Sequence, residues 1–102
     1  NNTYKVAGKK AVELLKEREP SYYKMILVDA SVHNTDGYEA ARQIRNLPDY
    51  EKAHIPIIAM TDGMMEWEYE EEIDCEINAH MIKPINVTKL LETLDSMLRE
   101  DL

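Results

Sequence analysis

Met25-Ile26-Leu27-Val28-Asp29 is the stretch on which the fold turns. Four uninterrupted apolar residues stopped by an acid make the pattern of a short strand buried on both faces. The pattern returns at Ile55-Pro56-Ile57-Ile58-Ala59-Met60, which runs into Thr61-Asp62-Gly63. Pro56 belongs at the start of that strand, because it cannot donate to a ladder. A weaker strand over Ile77 to Ile82 ends in Lys83-Pro84.

Helical periodicity fills the spaces between these runs. Lys9 to Glu19 places Ala11, Val12, Leu14 and Leu15 on one side, with Pro20 beyond its end. The turn-forming loop 31–37 leads into a helix from about Tyr38 to Asn46. Asp36 suits its cap, and Ala40, Ala41 and Ile44 form its inner face. Leu47-Pro48-Asp49-Tyr50 breaks it. Met64 to Cys75 reads as an acidic helix. Asn86 caps a last helix on which Val87, Leu90, Leu91, Leu94, Met97 and Leu98 recur at helical spacing. Tyr4 to Ala7 reads as a short strand.

Strands alternating with helices imply right-handed crossovers, hence an α/β fold with a parallel sheet and helices on both faces. Ligands of such sheets gather at the carboxyl ends of the strands. Asp29, Thr61 and Lys83 each follow a different strand, so a carboxylate, a hydroxyl and an ammonium converge on one edge. A carboxylate can be a nucleophile toward phosphorus. An ammonium can pair with it and then with phosphoryl oxygens. A hydroxyl can donate to those oxygens, and a divalent metal, usually magnesium, neutralises the charge of transfer. The set suits acceptance of a phosphoryl group on Asp29.

Composition narrows the class. The 102 residues make one domain spanning 1–102, with 44% hydrophobic and 31% charged residues. No apolar run reaches the roughly 20 residues that cross a bilayer, and no basic-then-apolar leader opens the chain. A formal charge of −8 disfavours direct nucleic-acid binding. The single cysteine, Cys75, excludes an internal disulfide and a cysteine zinc cage, and a cytoplasmic setting is expected.

These residues resemble the receiver domain of two-component response regulators and hybrid histidine kinases, a CheY-like, flavodoxin-like fold. The matching text is Met25 to Asp29, Asp36-Gly37-Tyr38-Glu39-Ala40-Ala41-Arg42-Gln43-Ile44-Arg45, Ile55 to Thr61 and Lys83-Pro84-Ile85. The resemblance implies that Asp29 is the phosphoacceptor, Thr61 the switch hydroxyl and Lys83 the phosphate-contacting lysine. His80 takes the switch-aromatic position. Asp29 and the Ser31 backbone carbonyl would serve magnesium. The implied partner is a histidine kinase or a phosphotransfer protein, and the implied chemistry is at most autocatalytic phosphotransfer and dephosphorylation.

The chain also departs from the family. No acidic pair precedes Asp29 where one would ligate magnesium, so metal binding is expected to be weak. The family's first strand and helix have no counterpart, which implies truncation at the N-terminus. A vacant place in the sheet favours a homodimer, a swapped element or direct pairing of the flanking strands. Val32-His33 replaces the family's Met-Pro, and Asp62 stands where a small residue leaves room for phosphate. Two other readings follow: a pseudo-receiver that binds partners or oligomerises without phosphorylation, and a haloacid-dehalogenase-type phosphatase. The phosphatase needs a second Asp where Ser31 stands. Glu66-Trp67-Glu68-Tyr69-Glu70-Glu71-Glu72 reads as a solvated face, with Trp67 or Tyr69 either packed inside or exposed to a partner. Met60, Met64, Met65, Met81 and Met97 are expected to fill core gaps, and His33 and His54 to lie in loops.

Overall fold

The computed structural model describes residues 8–30 and 36–100. The expected strand at Tyr4 to Ala7 lies outside the described residues. Three strands, β1 (Ile26–Asp29), β2 (Ile57–Thr61) and β3 (Ala79–Ile82), form a sheet in the order β1-β2-β3. Both pairings are parallel, with Ile26 opposite Ile57 and Ile58 opposite Ala79. The helices are α1 (Gly8–Glu17), α2 (Asp36–Arg45), α3 (Tyr50–Ala53), α4 (Glu66–Asp74) and α5 (Val87–Glu100).

The main core lies between α2 and the sheet. Ala40, Ala41 and Ile44 face Val28, Ile57 and Ala59, and Val12 and Leu15 of α1 close the side. Ile58 points to the opposite face by strand alternation and is also fully buried, so β2 is covered on both faces. This strand meets the expectation drawn from its unbroken apolar run. Strand β1 does not: Ile26 and Leu27 are only partly buried, because β1 is the edge of the described sheet. The Ile26 and Ala30 amides donate to Pro56 and Met60 carbonyls. Alternation therefore turns the Leu27 and Asp29 amides to the side away from β2.

Several boundaries shift. Helix α2 begins at Asp36, two residues before the expected start, and α4 is shorter than the acidic stretch suggested. The break read at Leu47 to Tyr50 leads directly into α3, capped by Asp49, whose carboxylate accepts the Lys52 amide at 2.9 Å. His54 is that helix's C-cap and stacks on Tyr50. Asn86 caps α5 as expected, accepting from the Lys89 amide at 3.0 Å. Met65 is exposed, against the expectation of core packing, because it stands before the first turn of α4. Trp67 packs on the core and meets Tyr38 edge-on at 5.9 Å, whereas Tyr69 is exposed.

Arg45 ties the lower half of the fold together. Its guanidinium donates to the carbonyls of Ala53 (2.9 Å), Ile55 (2.6 Å), Cys75 (2.9 Å) and Glu76 (2.7 Å), and to Asn78 Oδ1 (3.1 Å). Burial lowers its pKa, with the Glu76 charge opposing. A lysine carries the charge but not the planar fork. Arg45→Lys is therefore expected to cost about 2 kcal/mol in urea unfolding, as partly buried carbonyls lose donors. An unchanged urea midpoint would show that charge alone suffices at this position.

Candidate functional site

The parallel register carries three strand ends to one edge. Asp29 is level with Met60, and Met60 with Met81. Thr61 is therefore one residue beyond that line and Lys83 two. The Lys83 amide donates to the Thr61 carbonyl at 2.7 Å, and the Lys83–Pro84 peptide bond is cis. From there the Lys83 ammonium reaches across the edge and donates to Asp29 Oδ1 at 2.5 Å. Both side chains remain partly exposed. The bond to Asp29 raises the Lys83 pKa, burial opposes it, and the charges of Asp29 and Asp62 add to the rise.

Thr61 is fully buried, and its hydroxyl turns toward α4. It donates to Glu68 Oε1 at 2.6 Å, while the Gly63 amide reaches the same hydroxyl at 3.3 Å. The structure thus joins Asp29 to Lys83 directly and engages Thr61 elsewhere. His80 lies on β3, its Nδ1 3.0 Å from Glu72 Oε1, with Tyr69 edge-on at 6.1 Å. Asp62 is exposed. Ser31, Val32 and His33 lie outside the described residues.

Two further residues shape the site. The first is Gly37, where a Cβ would stand 2.5 Å from the Asp29 carbonyl oxygen. Only a residue without a Cβ lets α2 approach β1 so closely. The second is Glu68, which the acidic run concealed as one glutamate among several. Its position three residues past Met65, where a side chain reaches back to the cap amide, was the available signal.

Residues 3–95 match the response regulator receiver domain family. The chain is a receiver domain. It is 32% identical over 92 residues to the polar-differentiation response regulator DivK of Brucella ovis, covering 90% of this chain and 71% of that one. It is 34% identical over 80 residues to probable histidine kinase 2 of Oryza sativa subsp. indica, covering 78% of this chain. The receiver domain spans only 8% of that kinase's length. The receiver domain of sensor histidine kinase PA1611 from Pseudomonas aeruginosa superposes with a TM-score of 0.71 at 30% identity, covering 92% of this chain and 73% of that one. The α/β fold expected from sequence is therefore the CheY-like fold. No helix of this receiver domain, among the described residues, is long and apolar enough to cross a membrane.

The Pseudomonas structure holds a magnesium ion in its active-site cleft. Here the described residues show no ready-made metal cluster. No three His, Cys, Asp or Glu side chains converge among them. Asp29 brings one carboxylate, already paired with Lys83. Magnesium prefers an octahedral oxygen shell with one or two carboxylates.

Gly37→Ala is expected to push α2 from β1 and cost about 1–3 kcal/mol in urea unfolding, the usual range for overpacking. No loss of stability would mean that the helix start yields freely. The core also dictates an alkaline limit. Burial raises the Tyr38 pKa first, with the Glu68 and Glu72 charges and the Glu68 hydrogen bond adding. Burial also raises the Cys75 thiol, with Arg42 and Arg45 opposing and Glu71 and Asp74 adding. Both groups keep their protons in the folded state after the unfolded chain has released them. Their stabilisation is complete below the unfolded pKa values and declines above roughly pH 8.5 for Cys75 and pH 10 for Tyr38. Urea midpoints should fall across that range. Above pH 10 the fall should be shallower in Tyr38→Phe, and parallel curves would refute the assignment.

Proposed function

We propose that this receiver domain accepts a phosphoryl group on Asp29 from a phosphohistidine of a histidine kinase or phosphotransfer protein. The Lys83–Asp29 bond at the carboxyl edge of the sheet carries the reading. An Asp29 carboxylate oxygen attacks phosphorus and forms an acyl phosphate. The phosphorus–nitrogen bond breaks, and its electron pair passes to the imidazole nitrogen, which takes a proton from water. Lys83 stands close enough to transfer its hydrogen bond from Asp29 to a phosphoryl oxygen, where it offsets the charge that builds up. The domain would act as an autocatalytic phosphoacceptor, not as a turnover enzyme, in a cytoplasmic setting. Any contribution of magnesium would be weak, since one carboxylate is a poor cage.

The test uses acetyl phosphate and intact-mass measurement. The wild type should gain one phosphoryl group, and Asp29→Asn should gain none. Lys83→Ala should slow labelling by on the order of 100-fold, as for loss of an oxyanion donor. A wild type that stays unlabelled, or label that persists in Asp29→Asn, would defeat the proposal.

A second reading is a receiver fold that binds partners, or a second copy through the β1 edge of the described sheet, without phosphorylation. The engaged Thr61 hydroxyl, and the absence of a three-ligand acidic cluster among the described residues, favour it. On that reading Asp29→Asn leaves partner binding and oligomeric mass unchanged.

A further inference from the structure

We propose that Glu68 is a positioning residue that holds the Thr61 hydroxyl away from the phosphoryl position. The proposal rests on the phosphoacceptor reading above. Glu68 is fully buried, which is costly for a carboxylate unless donors surround it. Three donors do. Thr61 Oγ1 lies 2.6 Å from Oε1, the Met65 amide 2.8 Å from Oε2, and the Tyr38 hydroxyl a long 3.5 Å from Oε1. The Thr61 contact has the length of a charge-assisted O–H···O⁻ bond, about twice as strong as a neutral one.

A threonine hydroxyl has one proton to give. The Gly63 carbonyl is also within reach of it, at 3.0 Å, but the shorter bond to the carboxylate takes the proton. With its proton given to Glu68 and the Gly63 amide reaching its oxygen at 3.3 Å, the Thr61 hydroxyl offers a phosphoryl oxygen only lone-pair density, which repels it. Thr61 can serve a phosphoryl group on Asp29 only after the Glu68 bond breaks. Glu68 also accepts the Met65 amide at the first turn of α4. Release of Thr61 therefore removes the side-chain tie between the end of β2 and that turn. The exchange is one for one: one hydrogen bond is given up at Glu68 and one is made at the phosphoryl oxygen, with no covalent bond formed or broken.

Glu68→Gln tests this with the side chain's size retained and its charge removed. Thr61→Val removes the hydroxyl at similar volume. Acetyl phosphate labelling rates are measured for the wild type, E68Q, T61V and the double variant, with circular dichroism melting to confirm folding. E68Q is expected to speed labelling about 10-fold where Thr61 is present and to have no effect in the T61V chain. A merely structural Glu68 would change the rate equally in both backgrounds, and that result overturns the proposal. So does labelling of E68Q at or below the wild-type rate. If none of the four chains is labelled, the phosphoacceptor reading falls and this proposal falls with it. Labelling of the wild type without acceleration in E68Q removes the proposal alone.

Discussion

The parallel ladder of β1, β2 and β3 sets where every polar group of the site stands. Its register places Asp29, Met60 and Met81 abreast, so Thr61, one residue on, and Lys83, two residues on, emerge at one rim. A slip of one residue would turn each of these side chains to the other face. The apolar pattern prevents that slip, since Ile57 and Ala59 must meet α2 while Ile58 meets the opposite face. Gly37 then fixes the distance of α2 from the acceptor strand. The ion pair of Lys83 and Asp29 is therefore a consequence of backbone pairing. At a half-exposed rim it adds little stability itself.

The rim was legible in the sequence because apolar runs of four to six residues are long enough to reveal strands, and because each run ends in a chemically distinct residue. The parallel direction of the strands followed from the alternation of strands with helices. What the sequence could not show were contacts made across long separations by residues that look like surface charges. Arg45 stands in the last turn of α2, where a basic residue is unremarkable, yet it binds five acceptors from two separate segments, 53–55 and 75–78. Nothing in local spacing signals that, because its acceptors lie up to 33 positions away. The half-buried β1 is the complementary case. Its apolar run is as strong as that of β2, but burial depends on a neighbour, and the described sheet ends there.

Glu68 shows the same limit more sharply. Five glutamates between residues 66 and 72 have similar local surroundings in the sequence. Helical geometry separates them. Glu68 points into the core beneath Thr61, Glu71 pairs with Arg42, and Glu72 pairs with His80. Reading the run as a solvated face averages over these fates. The helix has Trp67 on its core side and Tyr69 outside, so the carboxylate at 68 enters beside the tryptophan.

On the proposed reading, the resting rim holds internal substitutes for what a phosphoryl group would demand. Asp29 and Asp62 occupy the field of the Lys83 ammonium, and Glu68 holds the Thr61 proton. A phosphoryl group on Asp29 brings more negative charge than the carboxylate it modifies, and it offers oxygens closer to Lys83 than Asp62 can. It competes for Lys83 with little structural change, since that pair is already at the rim and open to water. Competition for Thr61 is different in kind, because the rival acceptor is buried and water cannot replace the lost donor. The two partners of the acceptor thus respond at different thresholds. Charge at the rim is met first by Lys83, and only a sustained phosphoryl group can draw Thr61 from Glu68 and free the first turn of α4.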